Sequence, residues 1–146
     1  MHAILKTPTY DFLVEWAVWG HLQSKTDLEL ILLKGHLLLE SILDSVLGIA
    51  ETDNYSFHRK VIELENTNRG SGSKQRLIID SLKAINKLRN RLAHELYFEV
   101  NNGELELWAM DILCNLNGTK FTKYTVKTKI VHSFSILSKS LYELKE

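Results

Sequence analysis

The chain has 146 residues, 45% of them hydrophobic and 25% charged, which is the balance of a folded soluble protein and not of a disordered one. Its 18 basic and 18 acidic residues cancel, which excludes a general nucleic-acid coat protein held by net positive charge. The single cysteine, Cys114, excludes an internal disulfide and suits a reducing cytoplasmic setting, and a small buried role is expected for it.

The length suits one domain over residues 1–146 with a single core. The start, Met1 to Pro8, lacks the charged opening, long apolar stretch and cleavage site of a secretory signal. Thr7 and Pro8 offer a cap and a first helical residue, and Phe12, Leu13, Trp16 and Trp19 continue at helical spacing to about Leu22. A second helix is expected from about Lys25 to Leu47. It has two apolar faces: Leu28, Ile31, Leu32, Leu39, Ile42, Leu43 and Val46 on one, and Leu30, Leu33 and Leu37 on the other. Such a helix is either central in its bundle or half covered by a second subunit. Lys34, His36, Glu40 and Asp44 interrupt it, so it is a poor membrane span and no membrane association is expected.

Phe57, Val61 and Leu64 predict a brief third helix capped by Ser56, followed by a glycine- and serine-rich linker from Asn66 to an N-cap at Ser73. From Ser73 to about Leu96, Leu77 or Ile78, then Leu82, Ile85, Leu88, Leu92 and Leu96 repeat at three- and four-residue steps, the period of an amphipathic helix. The period then changes. Tyr97 to Val100 and Glu104 to Trp108 alternate on either side of Asn101-Asn102-Gly103, which predicts a small β-hairpin leaning on the bundle. A last helix carries Val126, Ile130, Phe134, Leu137, Leu141 and Leu144 on one face. The expected fold is therefore all-α, a bundle of about five helices with one hairpin.

At about 100° per residue, Arg89 falls within the apolar arc of the long helix, beside Leu82, Ile85 and Leu92. A guanidinium stays charged at any ordinary pH, so this position requires a carboxylate, a phosphate or a wet cleft. His94 falls on a polar face with Lys83, Asn86, Asn90 and Tyr97, where Asn86, Asn90 and His94 are successive i, i+4 neighbours. Arg69, Lys74, Arg76, Lys83, Lys87, Arg89 and Arg91 form a local basic concentration that suits either phosphate or plain solvation. The pair Arg89 and His94 suits anion handling and proton transfer, and equally a salt bridge with a surface histidine.

Arg89-Asn90-x-x-x-His94, on a long helix late in a small helical chain, resembles the arginine, polar residue and histidine motif of the HEPN superfamily. The resemblance would span nearly the whole chain. It implies a helical bundle that forms a homodimer with two motifs facing a shared cleft. It also implies, in many members, a metal-independent ribonuclease of the toxin or antiphage defence kind. In that reading Arg89 holds the scissile phosphate, His94 moves protons and Asn90 orients groups. Arg91 adds phosphate contact, and Glu40 on the second helix supports the site as the carboxylate partner of Arg89, although a plain structural ion pair suits Glu40 as well.

Other chemistries lack their motifs. The six histidines never pair at metal-ligand spacing, and there is no Walker loop, nucleophile elbow or dinucleotide fingerprint, so neither a metal nor a cofactor is expected. Two functions stay open: an endoribonuclease acting on RNA, or a non-catalytic module whose leucine face binds a partner such as an antitoxin or a larger defence protein.

Overall fold

The structure, a computed structural model, describes residues 8–25, 27–48, 54–67, 72–117 and 124–145. Thr7, Arg69, most of the glycine- and serine-rich linker and the side chain of Phe12 lie outside them. The described residues form six α-helices: α1 (Pro8–Gln23), α2 (Leu28–Leu47), α3 (Phe57–Asn66), α4 (Ser73–His94), α5 (Glu104–Ile112) and α6 (Val126–Tyr142).

Local chemistry sets their ends. The Asp27 carboxylate accepts from the Glu29 N–H at 2.9 Å to start α2, and Gly48, at φ 64°, closes it with its N–H on the Asp44 carbonyl. Ser56 Oγ caps α3 through the Arg59 N–H, and Thr125 Oγ1 caps α6 through that of Thr128. The N-cap of α4 is Gly72 and not Ser73, which is already helical. The helix ends at His94, two residues before the predicted Leu96.

The most enclosed element is α6, which buries Ile130, Val131, Phe134, Leu137 and Leu141 together with Ser133, Ser135, Ser138 and Ser140. It packs against α1, α2 and α5. The serines let these helices approach, and two find carbonyl partners: Ser133 Oγ lies 2.8 Å from Ala109 O, and Ser135 Oγ donates to His132 O at 2.7 Å. On α2, Ile31, Leu32, Leu39, Leu43 and Val46 enter the core as expected. On its second face Leu37 remains 55% exposed and Leu30 36%. Trp16 and Leu13 of α1 also stand out to solvent, whereas Val18 and Leu22 are buried.

The predicted β-hairpin does not form, and no described residue lies in a strand. Val100–Asn102 make one 3₁₀ turn, Gly103 takes φ 103°, and Asn102 Oδ1 accepts from the Glu104 N–H at 2.9 Å, which launches α5. The reason is the period beyond the turn. Leu105, Trp108, Ala109 and Ile112 are buried at helical spacing, while Leu107, the alternating partner of Leu105, is 65% exposed. Trp108 then ties α5 to α4 by donating its indole N–H to Ser81 O at 3.0 Å, and its ring packs 4.8 Å from that of Phe134. Cys114 also departs from expectation: it is exposed on the π-helical turn after α5.

Helices α2 and α6 meet closely at Gly35. A Cβ there would stand 2.5 to 2.7 Å from three ring atoms of Phe134, which is itself fully buried. Gly35→Ala is expected to cost about 2 kcal/mol of unfolding free energy by overpacking, read as a lowered urea midpoint at constant slope. An unchanged midpoint would mean that the ring has room to yield.

Candidate functional site

Helices α3 and α4 run antiparallel, because their polar ties pair the end of one with the start of the other. Glu65, near the end of α3, takes hydrogen bonds from Arg76 and Lys83 in the first half of α4. The first turn of α3 therefore lies beside the second half of α4. Between them opens a cleft of about 540 Å³ lined by His58, Lys83, Asn86, Lys87, Asn90, Arg91, His94 and Glu95. Asn90 and His94 are exposed there, and Asn86 is half-buried.

Arg89 does not line this cleft. It is half-buried on the adjoining side of α4, toward His36 of α2, as its place in the apolar arc implied. The two motif residues lie about 140° apart around the helix at 100° per residue, with Asn90 between them. The expected pair of Arg89 with Glu40 is not made. Glu40 instead accepts from Lys60 at 3.0 Å, and Asp44 lies 2.9 Å from the same ammonium. Lys60 is only 3% exposed, so it needs both carboxylates more than the half-buried Arg89 needs one. Burial opposes its charge, but the hydrogen bonds to Asp44 and Glu40 outweigh that and raise its pKa.

The other cations of α4 are largely neutralised. Lys74 faces Glu143, Arg76 pairs with Glu65 and Asp80, and Lys83 lies 3.3 Å from Glu65. Arg91 pairs with Glu104 and Glu95 and stacks over Phe98 at 4.4 Å, so it fastens α4 to α5 instead of standing open to a phosphate. Among the described residues, Arg89 and Lys87 have no ion pair. Among them, too, no three His, Cys, Asp or Glu side chains gather as a metal site would require, and no helix is long and apolar enough to cross a membrane.

Two histidines carry weight that periodicity did not assign. His36, 5% exposed, packs against Phe57 and joins α2 to the cleft: its Nε2 lies 3.0 Å from Asn86 Oδ1 and donates when it holds the proton. That bond directs the Asn86 amide nitrogen elsewhere. His58 lines the cleft from α3. A short helix read only for its apolar residues gave no signal for His58, whereas His36 was visible one turn before Glu40. No protein-family profile, curated sequence or solved structure matches the chain.

Burial, the largest influence, and the nearby Arg89 lower the pKa of His36 against the opposing Asn86 hydrogen bond and Glu40 charge; burial also lowers that of His132. With folded values below the ordinary 6.5, the unfolded chain takes up protons first as the pH falls. Stability from these groups is thus complete above that value and declines as the pH drops through it toward the folded values. Urea unfolding between about pH 7.5 and about pH 5.5 should show this fall, and His36→Gln should make it shallower. An equal slope in the variant would remove His36 from the account.

Proposed function

We propose that this chain is a metal-independent endoribonuclease of the HEPN type, a toxin or antiphage defence effector working as a homodimer. The observation that carries the reading is the half-buried Arg89, without an ion pair among the described residues, on a helix whose other cations, Lys87 apart, are tied to carboxylates. A guanidinium left without a carboxylate is suited to a phosphate oxygen, which it can grip with two parallel N–H bonds. His94 stands exposed in the adjoining cleft, where an imidazole can exchange protons with a substrate. Asn90, between the two, supplies amide hydrogen bonds to either side.

One protomer does not readily turn Arg89 and His94 toward the same phosphate, given their angular separation. A second copy laid against the end of α4 removes the difficulty, because each phosphate can then meet the arginine of one chain and the histidine of the other. Attack by the RNA 2′-hydroxyl would leave a 2′,3′-cyclic phosphate and a 5′-hydroxyl and would need no protein nucleophile. Glu40 would act at a distance, by holding Lys60 and by its charge near His36.

The test is purified protein incubated with a mixed labelled RNA pool in EDTA, with analysis of product ends. The wild type is expected to leave cyclic phosphates, and Arg89→Ala and His94→Ala each to slow cleavage at least about 100-fold with unchanged melting temperature. Intact RNA across the pool would sink the reading.

A second reading is supported by the open apolar face of Leu30 and Leu37 on α2 and of Leu13 and Trp16 on α1. It makes the chain a non-catalytic module bound by a partner protein such as an antitoxin. Under it, Leu37→Asp lowers the mass of the native complex in sedimentation and His94→Ala changes nothing. If Leu37→Asp leaves the assembly intact, this face is not its interface.

A further inference from the structure

We propose that His58 is a second catalytic imidazole, the proton acceptor that works opposite His94 across one cleft; this rests on the nuclease reading above. The antiparallel packing of α3 and α4 brings the two histidines, far apart in the chain, to opposite walls of the same 540 Å³ space. Both are exposed, and among the described residues neither side chain has a hydrogen-bond, ionic or ring partner, so neither has a packing task that explains its position. Asn86 and Asn90 lie on the wall that carries His94, with Lys87 free of any carboxylate among the described residues. The space therefore offers two proton carriers, amide donors and a cation to one bound phosphodiester.

The chemistry moves two protons. The 2′-oxygen must lose its proton as it bonds to phosphorus, and the departing 5′-oxygen must gain one as its bond to phosphorus breaks. A single imidazole can serve both only in turn. Two imidazoles, one neutral and one protonated, serve both in a single step: the acceptor takes the proton of the 2′-hydroxyl, the donor gives its proton to the 5′-oxygen, and atoms and charge balance.

Helix polarity divides the roles. His58 stands in the first turn of α3, where the free N–H groups oppose a cation, and His94 in the last turn of α4, where the free carbonyls favour one. The acceptor is then His58 and the donor His94. The other charges around them are balanced in part. Lys83 faces Glu65, Arg91 is held by Glu104 and Glu95, and on α3 the neighbouring Arg59 guanidinium is stacked 3.6 Å over Tyr55.

The experiment is the rate of RNA cleavage in EDTA against pH for wild type, His58→Ala, His58→Gln and His94→Ala, with melting temperature measured on each. The wild type should give a bell-shaped profile. The two His58 variants should lose about 100-fold or more in rate at unchanged melting temperature and should no longer show the fall on the acid side. Added imidazole should restore part of the rate of His58→Ala. His94→Ala should instead lose the fall on the alkaline side. If His58→Ala cleaves with the wild-type rate and profile while His94→Ala does not, the inference is overturned and the nuclease reading stands. If wild type itself leaves the pool intact, both fall together.

Discussion

Helix α6 buries side chains on all of its sides, serines included, so the helices around it must each give it an apolar stripe or rest on one that does. The close approach of Gly35 to the Phe134 ring shows how little slack this leaves. A leucine or isoleucine fully buried in such a layer contributes roughly 1.5 to 3 kcal/mol, and α6 alone carries several. The buried serines add little bulk where α6 meets its neighbours, which suits close packing.

That arrangement leaves α4 at the side of the bundle. It touches α6 only lightly and is held chiefly by α2, α3 and α5. Its attachments are a buried stripe of isoleucines and leucines, the Trp108 indole on Ser81, and the carboxylates of α3 and of the start of α5. A helix fastened in this way along one arc and at its edges keeps a continuous polar face open. The cleft with His58, Asn90 and His94 is the space between that face and the first turn of α3, and α3 is anchored in turn by Lys60 between Glu40 and Asp44.

The five helices anticipated from periodicity are all present, because each carries enough three- and four-residue repeats to outweigh local noise. Asn102-Gly103 failed as a guide because the same left-handed glycine that closes a hairpin can also launch a helix, and only the burial of Trp108 and Ile112 decides between them. The polar face of Asn86, Asn90 and His94 was legible, since it depends on one helix alone. Glu40 was assigned to the wrong cation because a competition between Arg89 and Lys60 is settled by burial, a property of three helices together. His58 was invisible for the same reason: its place in the cleft comes from a neighbouring helix, not from its own segment.

A chain with no net charge exerts little long-range pull on a polyanion, so any selectivity for one must arise at contact distance. Here most positive charges of α4 are spent on carboxylates of the same molecule, and the field they would have cast is cancelled within a few ångströms. What remains is local. Arg89 is half-buried, has no ion pair among the described residues, and sits a fraction of a helical turn from an open cleft. Under the proposed function its attraction would be felt by a group brought close by shape, and not by every phosphate that passes. In the ribonuclease proposed above, such a surface would give up rapid capture for discrimination, which suits recognition of a particular structure better than the coating of a strand.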